Sequence, residues 1–314
     1  MRAYARDMMG EETMDLAADA TVEANLRGGI AREGRALASV VPVLRHLLGA
    51  PTQGLVSEAI VARVRGMMLD LAAQLIAAQA GCDPATRAPG ADPDALDALS
   101  ESLIAHEALL SHCHVLAAEG LIAERLMQRH AIDPVLSPLL QELIAAEDAA
   151  VASLAMATLA AQSRFVQNQR RMELPLGELP AELFHAAIAR IAQGAAPLQA
   201  AYDEGASRLG LLARLVGAMR RGALAALGLE HAGLALFATA LASETRFARS
   251  DAVLACHEGQ SLRLALLLRA AGLAPAATGR QLLITDPAAR LPDAVAALPP
   301  ERAAAFLTAD RSVQ

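Results

Sequence analysis

Lysine is missing from this 314-residue chain, and its 27 strongly basic side chains are all arginines. That excludes a Schiff-base lysine and the lysine of a phosphate-binding loop. Tryptophan is missing too, and aromatic residues make up only 2% of a chain that is 54% hydrophobic. The apolar content is therefore alanine, leucine and valine, which suits helices packed closely through small side chains. A sandwich or barrel would want more aromatics, threonine and isoleucine. The three cysteines (Cys82, Cys113 and Cys256) are odd in number and far apart. A disulfide framework is not expected, and a reducing cytoplasm is. The opening MRAYARDMMGEETMD lacks the apolar centre of a signal peptide. The longest apolar runs, such as Ala149 to Met156 with Ser153 inside, fall short of the ~18 residues that span a bilayer. A net charge of −7 argues against a general nucleic-acid binder. The expectation is a cytoplasmic protein with neither nucleic acid nor a membrane as partner.

What the chain does have is helical spacing. Ser57 stands as a cap before Ile60, Val64, Met67, Leu71 and Leu75, which follow one helix face. Glu11 to Arg27 reads as a helix broken by Gly28-Gly29, with a second helix over Arg35 to Leu48 and a turn over Pro51 to Gly54. Asp133-Pro134 and Ser137-Pro138 are cap-then-proline starts. Glu147-Asp148 opens a long central helix that closes on Arg170 and Arg171, each charge at the end the helix dipole favours. Val151, Leu154, Ala155, Leu159, Gln162, Phe165 and Val166 share one face of it. The other face is mostly alanine and serine up to Arg164, so another helix can approach closely. Leu174-Pro175 and Leu179-Pro180 are forced extended. Leu198 to Met219 reads as one regular helix with a Glu204–Arg208 pair at i, i+4. Leu229 to Ser243 reads as another apolar helix, with Gly228 and Gly233 read as packing glycines. Gln281 to Thr285, QLLIT, is the one credible strand. The predicted fold is all-α: a multi-helix bundle or irregular helical array, with at most one short strand pair near the C-terminus. The run CDPATRAPGADP, Cys82 to Pro93, reads as a linker or surface loop. It divides an N-terminal helical segment, 1–81, from a main helical domain, 94–274, and a small C-terminal extension, 275–314.

Motifs that carry chemistry are few. There is no Gly-x-Ser-x-Gly elbow, dinucleotide fingerprint or phosphate loop, and no cofactor is expected. The densest titratable cluster is His106-Glu107 with His112-Cys113-His114. Successive helical residues point about 100° apart, so the last three cannot converge on one ion, and no metal site is predicted. His106 and Glu107 could serve as a phospho-accepting pair. HEALLSHC lacks the proline and basic residue that usually follow, and His257-Glu258 repeats the dipeptide. The leading expectation is a non-enzymatic helical protein-interaction or regulatory protein. The alternative is a histidine-based phosphotransfer protein, or an enzyme with an unmarked site near His106. The candidate contact for an acidic protein partner is Arg164, Gln167, Arg170 and Arg171, because arginine captures carboxylates bidentately. The plainer reading is that these arginines steady the helix dipole, or pair with Glu173 and Glu178. A homo-oligomer is a further partner expectation.

Three stretches resemble a known family: RFVQNQRRMELPLGELPAELFHAAI (Arg164 to Ile188), VARVRGMMLDLAAQLI (Val61 to Ile76) and SRLGLLARLVGAM (Ser207 to Met219). They resemble the alphaproteobacterial family called domain-of-unknown-function 2336, over most of the chain after Leu55. The short helices beginning at Asp-Pro-Ser, common in that family, are poorly marked here. The resemblance implies a helical, degenerate repeat-like fold and no established activity, so it transfers no functional residue.

Overall fold

The computed structural model describes residues 21–49, 57–87 and 90–311. The structure is 78% helical, and no strand occurs among the described residues. Expectations for residues 1–20 and for the turn at Pro51 to Gly54 lie outside that range. The chain divides into two compact units, Val40–His257 and a second made from residues 21–39 with 258–311. This division differs from the sequence-based one, and the Cys82 to Pro93 segment lies inside the larger unit.

The larger unit holds α2 (Val40–Gly49), α3 (Glu58–Gln79), α4 (Pro93–Ile104), α5 (Glu107–His130), α6 (Pro138–Ile144) and α7 (Ala149–Arg171). It continues with α8 (Ala181–Ile188), α9 (Ala195–Ala201), α10 (Arg208–Met219), α11 (Leu229–Thr245) and α12 (Arg249–Ala255). The spacing seen along α3 is its core face: Val64, Met67, Leu71 and Leu75 are fully buried, with Leu103, Leu110 and Phe184 in the same cluster. Each such side chain contributes about 1.5–3 kcal/mol on burial. Helix starts follow local chemistry. Asp148 accepts from the amides of Ala150 (2.9 Å) and Val151 (3.4 Å) to open α7, and Ser137 accepts from Leu140 (3.3 Å) to open α6. Asp133 opens no helix; it accepts from Val135 and Leu136 and forms a turn. Ser57 sits at the start of α3 without a side-chain bond.

The extended segment after α7 finds its backbone partners on α3. Buried Asp70 accepts from the Leu174 amide at 2.8 Å. The Gln74 amide group donates to the Leu174 carbonyl (2.9 Å) and accepts from the Leu176 amide (2.9 Å). Pro175 forbids helix for Leu174, so these buried groups need such partners. Arg87 reaches back to the same Asp70 at 2.5 Å and to Glu173 at 3.4 Å. That anchors one end of the proline-rich segment to α3.

Two helix expectations need correction here. Leu198 to Met219 is not one helix. The chain leaves α9 at Tyr202, whose hydroxyl donates to the Leu179 carbonyl at 2.7 Å and whose ring stacks on Phe184 at 4.0 Å. Asp203 then accepts from Gly205, and α10 begins afresh at Arg208. Glu204 accepts from the Ala181 amide at 3.1 Å instead of pairing with Arg208. In α11 the kink glycine Gly233 adopts φ 68° and ψ 163°, a backbone requirement beyond packing.

The smaller unit contains α1 (21–38), α13 (Ser261–Ala270), α14 (Pro275–Thr285), α15 (Asp293–Ala296) and α16 (Pro300–Arg311). Gly28-Gly29 does not break α1. At Gly29 an added Cβ would stand 2.6 Å from the Leu262 side chain, so the glycine permits close packing. Glu33 of α1 accepts from the amides of Leu262 (3.0 Å) and Arg263 (2.7 Å) at the start of α13. QLLIT is not a strand: it is the last turn and a half of α14, started by Pro275. Thr278, Gln281, Leu282 and Thr285 are buried at helical spacing, which overrides the β preference of the short run.

Candidate functional site

The larger unit is tied together by an ion cluster in its interior. Glu119 of α5 is 1% exposed and takes two arginine forks. Arg208 of α10 donates to both of its oxygens at 2.8 Å, and Arg249 of α12 does so at 2.9 and 2.7 Å. Arg208 also lies 3.6 Å over the Phe165 ring and donates to Gln162 of α7, which in turn donates to the Pro134 carbonyl. Arg249 donates to Thr239 of α11 at 2.9 Å. Burial alone would push the Glu119 carboxyl up. The two guanidiniums outweigh it and hold the group ionised well below the usual carboxylate range. Both guanidiniums share the one carboxylate, so the cluster fixes five helices and offers neither a nucleophile nor a mobile proton. The sequence reading missed Glu119. Its signal was a lone acid inside the apolar run HVLAAEGLIA, with no solvated face to take it.

Beside this cluster, Ser111, His112, Glu182, Glu204, Arg249 and Ser250 line a cleft of about 620 Å³. Two of its charged groups have prior commitments, Arg249 to Glu119 and Glu204 to the Ala181 amide, and Glu182 is the third charged group of the lining. Burial, then Arg208 and Arg249, lower the His112 pKa to about 4, so the ring is neutral at pH 7. His114 is likewise lowered to about 4, by burial and by His257. The Cys113 thiol is pushed up to about 12 by burial. Among the described residues no three His, Cys, Asp or Glu side chains form a group that could hold a metal. His106 is the N-cap of α5, its Nδ1 accepting from the Leu109 amide at 3.2 Å. Glu107 beside it is exposed and pairs with Arg45 at 2.9 Å.

Buried His114 and half-buried His112 imply a pH dependence. Each has a folded pKa below its ordinary value of about 6.5, so the unfolded chain binds more protons between the two values. Stability is full above about pH 6.5 and is lost as pH falls toward 4. At pH 5 each histidine is expected to cost about 1–2 kcal/mol relative to pH 7. Urea unfolding of the protein and of a His114→Gln variant at both pH values measures this. The variant should lose less on acidification; equal losses would show that His114 does not contribute.

The sequence-predicted contact residues lie at the C-terminal end of α7. Arg164, Gln167, Arg170 and Arg171 are all exposed, while Phe165 and Gln169 of the same turns are buried. The two acids expected to neutralise the arginines are engaged elsewhere: Glu173 with Arg87 at 3.4 Å, and Glu178 with the Arg208 amide at 2.7 Å. Among the described residues no carboxylate pairs with Arg164, Arg170 or Arg171. Gln167 donates to Ser163 on its own helix. Alongside runs a groove of about 620 Å³ whose walls include Met127, Pro134, Met156, Leu159, Val166 and Arg170. Met127 and Met156 are 46% and 52% exposed, so large apolar side chains lie open beside the unpaired cations. By length and composition α7 is also the one helix among the described residues that could cross a membrane. Averaged over 18 residues its mean hydropathy is 1.3, although only 28% of that stretch is buried. Counting apolar runs stops at Met156, short of Thr158, and so misses the average over the longer stretch. Compared with known proteins, the chain matches no family model, no curated protein and no solved structure.

Proposed function

We propose that this is a non-enzymatic, cytoplasmic helical interaction or regulatory protein, and that it binds a carboxylate-bearing protein surface through the arginine end of α7. The observation that carries this reading is the set of three exposed arginines without a carboxylate, in a chain of net charge −7. An isolated helix-end arginine is worth only about 0.3–1 kcal/mol through the dipole, and this purpose needs one such residue, not three. Guanidinium forks take carboxylates bidentately, and the methionine-lined groove alongside adds adaptable apolar area. The resemblance named above is compatible with a binding role and adds no activity. Phosphotransfer at His106 is less well supported. The Nδ1 lone pair is occupied by the cap bond, which places the proton of the neutral ring on Nε2 and leaves neither nitrogen free to attack.

The test is a double charge reversal, Arg164→Glu with Arg171→Glu. Both positions are exposed, so the melting temperature is expected to stay within a few degrees, about 0.5 kcal/mol of the parent. Proteins that co-purify with the full chain from its native host should be lost at least in part. An unchanged set of bound proteins, or a loss explained by a lower melting temperature, would return these arginines to helix-end electrostatics.

A further inference from the structure

The outward face of α7 is symmetric about its midpoint. The exposed row comprises Ala149, Ser153, Met156, Ala160, Arg164, Gln167 and Arg171, so its members stand four, seven and eleven residues to either side of Ala160. An eleven-residue repeat advances about 3.67 residues per turn, so the row runs almost straight along the helix. Laid antiparallel across a two-fold axis at Ala160, two such rows bring Ala160 onto Ala160. Met156 then meets Arg164, Ser153 meets Gln167, and Ala149 meets Arg171. Alanine and serine let the axes come within about 8 Å. The exposed Met156 finds the aliphatic stem of an arginine. Glu147, exposed and without an ion pair among the described residues, precedes Ala149 by two residues, at the end of α7 that Arg171 of the other copy reaches. The acid just before each helix thus stands at the same end of the pair as the arginine that closes the other. A parallel pair would instead set arginine on arginine.

We infer that α7 is a self-association helix: two copies of this chain pair antiparallel through this face, Glu147 of each beside Arg171 of the other. This rests on the reading of the arginine end as a contact surface, and it names a second copy as the partner that supplies the acid. The apolar stretch could also enter lipid. A protein partner is favoured because α7 is held to its own unit through buried Gln162 and Gln169, an attachment a bilayer would have to strip away.

Sedimentation equilibrium of the full chain at micromolar concentrations is expected to give twice the chain mass. Arg171→Glu and Glu147→Arg should each weaken association about tenfold, and the two changes together should restore it. In a Cys82→Ser background, which removes the exposed cysteine, Ala160→Cys should cross-link to itself on mild oxidation. Ser153→Cys should not, since its two copies stand about 20 Å apart along the axis. A monomer, self-cross-linking at Ser153→Cys, no rescue in the charge swap, or flotation of the chain with phosphatidylglycerol vesicles would each overturn the inference. A monomer whose other bound proteins still depend on Arg164 and Arg171 would leave the interaction reading standing. A dimer that captures no other protein would support the inference and narrow that reading to self-association.

Discussion

Replacing Glu119 with alanine is expected to destabilise the chain by about 3–5 kcal/mol, because it leaves two guanidiniums in the interior without a counter-charge. Arg208 is 2% exposed and cannot relax into water. Its second polar neighbour, Gln162, offers a neutral oxygen at 3.1 Å that does not replace a carboxylate. Urea unfolding with a constant m value measures the loss. A triple variant, Glu119→Leu with Arg208→Met and Arg249→Met, should recover most of it, since burying apolar groups of similar size avoids the desolvation cost altogether. That contrast separates the cost of an orphaned charge from the worth of the intact cluster. The carboxyl is depressed in the folded state, so its contribution is present above the ordinary carboxylate value, about 4.3. It is lost only as pH falls through the much lower folded value. A Glu119→Ala loss below 1 kcal/mol would mean that the cluster is solvated in solution.

Gly233→Ala is the second large effect, expected at about 2–3 kcal/mol. The backbone there, φ 68° and ψ 163°, belongs to a region open almost only to glycine. An added Cβ would also stand 3.1 Å from the Cβ of Ser137, the residue that caps α6. Strain at the kink therefore reaches a helix start in another part of the unit. Thermal unfolding of Gly233→Ala beside Gly217→Ala gives the comparison. Gly217 lies inside α10 with nothing within 4 Å of an added Cβ, so alanine there should be neutral or stabilising. Equal effects at the two sites would mean that the kink is not required.

The all-helical class was legible because it rests on local signals. Asp148 and Ser137-Pro138 act within a few residues of themselves, and the α3 face repeats at fixed spacing. The exposed end of α7 was legible for the same reason, since residues Arg164 to Arg171 belong to one helix. What was not legible depends on partners far along the chain. Arg208 has an acid four residues before it, yet it bonds Glu119, 89 residues away. A solvated i, i+4 pair is worth a few tenths of a kcal/mol, and a buried bidentate contact outranks it. Leu198 to Met219 has the apolar spacing of one helix. Its break at Tyr202 and Asp203 is set by a carbonyl at Leu179 and a loop cap, which periodicity does not register. The QLLIT run failed for want of length. Four apolar or β-branched residues after a glutamine fit either period, and the helix was decided by Pro275 upstream and by the buried spacing from Thr278 onward.

Asp70 and Gln74 give α3 a second identity. Together they offer the chain at Leu174 to Leu176 one donor and two acceptors, at 2.8 to 2.9 Å, as the rim of a neighbouring strand would. A helix here acts as a template for extended backbone, and it reads only main-chain groups. Sequence drift at Leu174 and Leu176 is therefore limited by packing and by the extended backbone that Pro175 imposes, whereas the template side is chemically fixed. An aspartate exchanged for asparagine, or a glutamine for glutamate, reverses a donor against an acceptor without changing shape. Here, within an all-α structure, the donor–acceptor order of β pairing governs which substitutions the fold tolerates.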